Sequence, residues 1–252
     1  MLHAEHLSCG YGEKKVVRDV QFHLHAGERL AVLGPNGCGK TTLMRALAGL
    51  LPFEGTVTAA GLDMRTASRK QAAQAVALMT QMGSADFGYS VYDTVMMGRY
   101  AHQRGGLFGG ASSDDRAIVE DCLAQTGLSD LRDQPVTQLS GGQLQRVFLA
   151  RVFAQQPSVI LLDEPTNHLD LQYQVELIAL LKRWAAQDSR CIVGVLHDIN
   201  LALEFADRLL IMQGGCARYE GPAADLDVAL LQEIYGMDVR AWMQKCLSRW
   251  AE

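Results

Sequence analysis

Gly34-Pro35-Asn36-Gly37-Cys38-Gly39-Lys40-Thr41-Thr42 sets a lysine and two threonines directly behind three spaced glycines. The spacing fits the phosphate-binding loop written G-x-x-x-x-G-K-[ST]. Glycines let the backbone wrap closely and turn amide N–H groups inward, and a following helix adds about half a positive charge at its N-terminus. Lys40 is then placed to reach the outer phosphates, and the Thr41 hydroxyl to bind Mg²⁺. The chemistry expected of this stretch is the binding of a nucleoside triphosphate.

Such a loop works only between a strand and a helix, and both flanks have that character. Leu30-Ala31-Val32-Leu33 is a short apolar run suited to a strand buried on both faces, and Leu43 to Ala48 is a helical stretch stopped by Gly49. Other buried runs are Val76-Ala77-Leu78-Met79, Val159-Ile160-Leu161-Leu162 and Cys191 to Leu196. They end at Gln81, at Asp163-Glu164 and at His197. In doubly wound sheets ligands bind at the C-terminal strand ends, so these polar groups converge where phosphates would lie. Asp163 has the position of a Mg²⁺-holding carboxylate. Glu164 beside it can act on a water as general base, a role worth about 10²–10⁴ in rate. His197 can hydrogen-bond a terminal phosphate.

Leu139-Ser140-Gly141-Gly142-Gln143 before the helix Leu144–Phe153 is a second anion-binding helix start by the same backbone logic. Only one of the two can enclose a nucleotide, so the second is expected to serve a partner molecule. Tyr11, in the turn Gly10-Tyr11-Gly12, is an aromatic held out between glycines that can stack on a flat base. His23 and His25 share a strand face but lack an assignable third metal ligand, and read as a solvated face.

The remaining elements follow from periodicity. Residues 2–8 and 16–25 read as strands, with Val20, Phe22 and Leu24 alternating with polar neighbours. Gly55–Ala59 is a further strand. Ser90-x-x-Asp93 resembles a helix start, residues 99–113 read as a mobile loop, and Asp114–Gly127 as a helix. Residues 82–155 form a helical insertion. Leu177, Leu180, Leu181 and Trp184 mark one face of a covering helix. Ile199–Phe205 is helical, a hairpin crosses Gly214-Gly215, and the tail from Ala223 is helical. Trp242 and Trp250 have no assignable place.

The chain has 252 residues, 48% hydrophobic and 20% charged, with a formal net charge of −5. That size fits one α/β domain, and the acidic balance argues against nucleic acid as a partner. Six scattered cysteines without a C-x-x-C pair fit reduced thiols. The N-terminus lacks the character of a signal peptide, and no run reaches the ~18 apolar residues of a membrane helix.

Gly34–Thr42, Gln81, Leu139–Gln143, Val159–Glu164, Asn167-His168-Leu169-Asp170 and His197 occur in an order that resembles the ATP-binding subunits of ABC transporters, over nearly the whole chain. The resemblance implies a P-loop NTPase core with a mostly parallel sheet, an N-terminal antiparallel β subdomain and an inserted helical subdomain, together one nucleotide-binding domain over 1–252. It implies ATP and Mg²⁺ as ligands and a second copy paired head to tail, so that Ser140, Gly141, Gly142 and Gln143 complete the opposite site. Carried over, Tyr11 stacks on adenine, while Gly34, Asn36, Gly37, Cys38, Gly39, Lys40, Thr41 and Thr42 hold the phosphates. Thr41, Gln81 and Asp163 address the metal, Gln81 also the attacking water. Glu164 is the base, His197 the γ-phosphate contact, and Asp170 couples the two sites.

With no membrane helices of its own, the chain resembles the bacterial importers whose permease is a separate polytopic subunit. Tyr89 to Tyr100 and Glu164 to Asp170 resemble the subfamily serving ferric siderophores, haem and cobalamin. That implies a peripheral protein on the cytoplasmic face of the inner membrane, linked indirectly to a substrate-binding protein. Phe87, Tyr89, Tyr92, Met96 and Met97 are expected to receive the permease, with Val91 and Val95 in the core. Cys38 varies within the family; a thiol reagent is expected to inhibit the ATPase, and bound ATP to protect. A soluble assembly ATPase of the same superfamily, acting on protein scaffolds in iron–sulfur cluster biogenesis, is the alternative.

Overall fold

A computed structural model describes residues 1–80, 88–103, 111–167, 169–187 and 189–249. Gln81, Phe87, His168 and Trp250 lie outside them, so the expectations for these positions stay as the sequence left them.

The described strands form two sheets. Strands β1 (Leu2–Tyr11), β2 (Lys14–Leu24), β4 (Phe53–Ala59) and β5 (Leu62–Asp63) form an antiparallel sheet in the order β2–β1–β4–β5. The second sheet runs β10–β9–β3–β8–β7–β6, built from β3 (Arg29–Leu33), β6 (Val76–Met79), β7 (Val159–Asp163), β8 (Cys191–Val195), β9 (Arg208–Gln213) and β10 (Cys216–Pro222). All neighbours in it are parallel except β9 and β10, the hairpin across Gly214-Gly215. The α/β fold with a mostly parallel sheet and an antiparallel N-terminal sheet is therefore as expected.

Strand alternation sorts side chains to two cores. Leu30 and Val32 face the antiparallel sheet and helix α1 (Lys40–Leu47), packing with Leu7, Val17, Leu43 and Met44. Ala31 and Leu33 face the opposite layer, with Ile160, Leu162, Ile192 and Ile211. That layer contains α5 (Gly141–Ala154), α6 (Leu171–Ala185), α7 (Ile199–Phe205) and the tail helices α8 (Val228–Tyr235) and α9 (Val239–Ser248). Helix α2 (Arg69–Ala75) leads into β6 with Ser68 as its cap.

Between β6 and β7 the described elements are helical: α3 (Val91–Met96), a 3₁₀ turn over Met97–Ala101, α4 (Ser113–Gln125), short 3₁₀ turns at Ser129–Leu131 and Val136–Gln138, and α5. Ser90 caps α3 by accepting from the Asp93 N–H at 3.0 Å. Val91 and Val95 are fully buried, as expected, while Tyr89 is half exposed.

The tail is helical, as expected, in three pieces: a 3₁₀ turn at Ala223–Asp225 precedes α8, and Gly236 (φ +68°) separates α8 from α9, where Trp242 is exposed. Two readings need correction. Residues 99–113 are not one loop, because Arg99 is buried within the 3₁₀ turn and α4 already begins at Ser113. Tyr11 ends β1, paired with Lys14, so the turn begins only at Gly12.

Candidate active site

The phosphate loop leaves β3 at Gly34, whose φ of +142° brings its α-carbon against the next strand. A Cβ there would lie 2.1 Å from the Met212 carbonyl oxygen, so only glycine fits. Gly39 caps α1 at φ +107°, and the first helical turn lines a cleft, where the free amide N–H groups of a helix start suit an anion. Lys40 folds back over the loop: Nζ donates to the Gly34 carbonyl at 2.8 Å and the Pro35 carbonyl at 3.1 Å. It makes no ion pair within 4.0 Å among the described residues. A buried ammonium held only by carbonyl oxygens is a strong anion ligand, because an anion supplies the missing counter-charge.

Asn36, Gly37, Gly39, Lys40, Thr41 and Thr42 line one wall of a cleft of about 820 Å³; Val16, Glu164, Asn167 and His197 complete it. Glu164 follows β7 at φ +57° and donates its N–H to the Val195 carbonyl at 3.2 Å, which carries its side chain toward the end of β8. There His197 Nε2 stands 2.6 Å from Glu164 Oε1. The sequence placed both residues at strand ends; the parallel pairing of β7 with β8 makes those ends adjacent.

Asp163 is 4% exposed, and its Oδ1 has no hydrogen-bond partner among the described residues. Burial pushes its carboxyl above the usual range, opposed by a hydrogen bond with Thr41 and reinforced by the charge of Glu164. An orphaned carboxylate oxygen beside a threonine hydroxyl fits a hard, oxygen-loving cation such as Mg²⁺.

Other expected residues lie apart from this cleft. Cys38 is 5% exposed in the core under the loop and does not line the cleft. Burial raises its thiol pKa, with Lys40 pulling the other way. A thiol reagent would have to pass this packing to reach it. Tyr11 is half exposed, and its hydroxyl accepts from Arg45 Nη1 at 3.0 Å on α1. Ser140 caps α5 in a reciprocal box with Gln143, whose N–H and Oε1 lie 3.3 and 2.9 Å from the Ser140 hydroxyl and N–H. Asp170 caps α6 by accepting from the Tyr173 N–H at 3.0 Å. None of Tyr11, Ser140 to Gln143 or Asp170 reaches the cleft within one chain.

Asn167 is a polar lining residue that sequence reasoning left without a role, and Val16 an apolar one. The signal for Asn167 was its place three residues after Glu164. His23 and His25 lie 5.3 Å apart with His3 stacked on His23, yet no group of three or more His, Cys, Asp or Glu able to hold a metal occurs among the described residues. No helix among those residues is long and apolar enough to cross a membrane.

Residues 17–167 match the family model described as ABC transporter. The chain is 41% identical over 243 residues to the ABC transporter ATP-binding protein YvrA of Bacillus subtilis, covering 94% of this chain and 54% of that one, so it spans about half that relative's length. It is 34% identical to the iron(3+)-hydroxamate import ATP-binding protein FhuC of Bacillus subtilis, over 94% of this chain and 88% of that one. An inward-facing ABC transporter assigned to the metal-chelate type superposes with a TM-score of 0.81 at 31% identity, over 93% of this chain and 88% of that one. A family model matched over more than half of the chain, and a relative above 30% identity covered over most of its own length, show that the chain belongs to the ABC transporter family of ATP-binding proteins.

Proposed function

We propose that this chain is the ATP-hydrolysing subunit that powers import of a metal chelate, of the ferric siderophore, haem or cobalamin class, through a separate polytopic permease. The observation that carries the ATPase reading is the Glu164–His197 pair, 2.6 Å apart, facing Lys40 and Thr41 across one cleft. The import reading is supported by the likeness to an iron(3+)-hydroxamate import protein and to a metal-chelate type transporter. It implies a peripheral protein at the cytoplasmic face of a bacterial inner membrane, served indirectly by a substrate-binding protein. The whole chain acts as one nucleotide-binding domain, with about 82–155 as its helical subdomain.

In this reading the loop amides and Lys40 bind the phosphates, and Tyr11 stacks on adenine. Thr41, Asp163 and Gln81 hold Mg²⁺, which neutralises phosphate charge when bound. Glu164 takes a proton from the attacking water as its oxygen bonds to the γ-phosphorus and the bond to the bridging oxygen breaks. His197 donates to the γ-phosphate, leaving Oε1 of Glu164 to that water. Ser140 to Gln143 lie outside the cleft of their own chain, so they serve the cleft of a second copy in a head-to-tail dimer, with Asp170 coupling the two. Closure then depends on ATP and reopening on its hydrolysis.

Glu164→Gln tests the base. Turnover should fall about 10²–10⁴-fold while an ATP-bound dimer accumulates on size exclusion; normal turnover places the base elsewhere. For the partner, the tagged protein is recovered from gently solubilised membranes. A polytopic membrane protein in matching amount is expected; soluble scaffold proteins alone would favour an assembly ATPase.

A further inference from the structure

Both oxygens of the Glu164 carboxylate are engaged, and the second partner is Asn167. Asn167 Nδ2 donates to Glu164 Oε2 at 2.5 Å, opposite the His197 contact at Oε1. Against a carboxylate oxygen only the NH₂ end of the amide is an acceptable neighbour, which fixes the orientation of the Asn167 side chain. The backbone repeats the tie, since the Asn167 N–H donates to the Glu164 carbonyl at 3.3 Å. Glu164 adopts φ +57°, a region that residues with a side chain hold only where neighbours enforce it. The turn is braced from two helices: Gln145 of α5 donates to the Pro165 carbonyl, and Gln174 of α6 donates to the Thr166 carbonyl at 3.3 Å.

We infer that Asn167 is a positioning residue: it holds Glu164 by its Oε2 edge, so that the Oε1 edge faces His197 and the phosphate loop. The inference rests on the reading of Glu164 as the base. A carboxylate tied at one oxygen cannot swing about its last torsion, and the oxygen that must meet the water stays in the cleft. Asn167 stands three residues before Asp170, the cap of α6. The same short turn therefore carries the group that aims the base and the group expected to face a second subunit. Displacement of the turn on dimer closure would reach the Glu164 carboxylate through the Asn167 side chain.

The test compares Asn167→Ala, Asn167→Asp and Asn167→Ser in steady-state ATPase assays on the full chain. Asn167→Asp keeps the shape but replaces the donor with a charge that repels Glu164. Misplacing a reacting group by about 1 Å costs roughly 10²-fold, so kcat should fall about ten- to a hundredfold in the Ala and Asp variants. KM for ATP should stay within about twofold. Asn167→Ser, which retains a donor, should recover part of the loss. Added to Glu164→Gln, Asn167→Ala should lower turnover no further, because the group it aims is gone. Wild-type kcat in Asn167→Asp, a raised KM with unchanged kcat, or full additivity with Glu164→Gln would each overturn the inference. If Glu164→Gln itself turns over normally, the base reading falls and takes the inference with it. An inactive Glu164→Gln beside an active Asn167→Asp removes the role of Asn167 alone.

Discussion

Arg99 Nε donates to Asp115 Oδ1 at 2.8 Å, with both side chains less than a tenth exposed. The same guanidinium donates through Nη1 to the Ala154 carbonyl at 2.7 Å and to Gln156 Oε1 at 2.9 Å. Asp115 Oδ2 accepts from the Ser112 hydroxyl at 2.8 Å and from its N–H at 3.1 Å. One buried pair thus ties the 3₁₀ turn after α3, the start of α4 and the end of α5 into a unit. Helix α5 is the helix that Ser140 caps, so this tie also fixes the base on which the Ser-Gly-Gly segment is presented.

Removing one partner of such a pair strands the other as a buried charge, which costs about 3–5 kcal/mol. Arg99→Ala is expected to lose stability on that scale in urea unfolding. The Arg99 hydrogen bond is the largest influence holding the Asp115 carboxyl below its usual range. A depressed carboxyl adds stability that is complete above its unfolded pKa of about 3.9 and is lost as pH falls through the lower folded value. Wild-type stability should therefore decline in that acid window, and Arg99→Ala should lack this part of the decline. A parallel decline in both proteins would show that the pair does not govern it.

How far the sequence was legible follows from the range of the forces involved. The phosphate loop, the strand-end carboxylates and His197 could be read because each is set by residues next to it in the chain, through glycine conformations and buried apolar runs. The Arg99–Asp115 pair could not, because its partners are 16 residues apart and Arg99 sits among glycines and polar residues that suggest a loop. The burial of Cys38 was illegible for a related reason: its place inside the loop says nothing of which way its side chain turns, and only the packed core shows that. Asn167 was visible as a position in a motif, but its contact depends on the left-handed backbone of Glu164, which no local pattern announced.

Tyr11 separates stacking from hydrogen bonding cleanly. Base–aromatic stacking is worth about 1–3 kcal/mol, so Tyr11→Ala should weaken ATP binding by roughly five- to a hundredfold in a fluorescent-nucleotide titration. Tyr11→Phe keeps the ring and removes only the contact with Arg45, so it should bind within about twofold of wild type. Equal losses in both variants would assign Tyr11 to bracing α1 and leave adenine to another residue.

The cysteines should react in order of exposure. Cys246 is exposed and Cys216 half-buried, whereas burial pushes Cys9 up to about 11 and Cys122 and Cys191 up to about 12. Cys38 is raised by the same cause. Since the thiolate is the nucleophile, brief iodoacetamide treatment near neutral pH should modify Cys246 first and leave Cys38 and the ATPase intact. Peptide mapping checks it. Early modification of Cys38, with activity loss that ATP prevents, would return the thiol to the nucleotide face.

The separation of Ser140 from its own cleft yields the most direct test of a shared site. Lys40→Ala disables the loop in cis, and Ser140→Arg blocks the capped helix start that should serve the other subunit. Each homodimer then lacks any intact site. In a mixed dimer, the wild-type loop of the Ser140→Arg chain meets the wild-type Ser140 of the Lys40→Ala chain, and one complete site is restored. Random pairing of equal amounts makes half the dimers mixed with one good site in two, so independent sites give about a quarter of wild-type turnover. Two inactive preparations that regain activity on mixing cannot do so if each chain completes its own cleft. Continued inactivity, with mixed dimers demonstrated by differential tagging, would count against exchange and return Ser140 to the capping of α5.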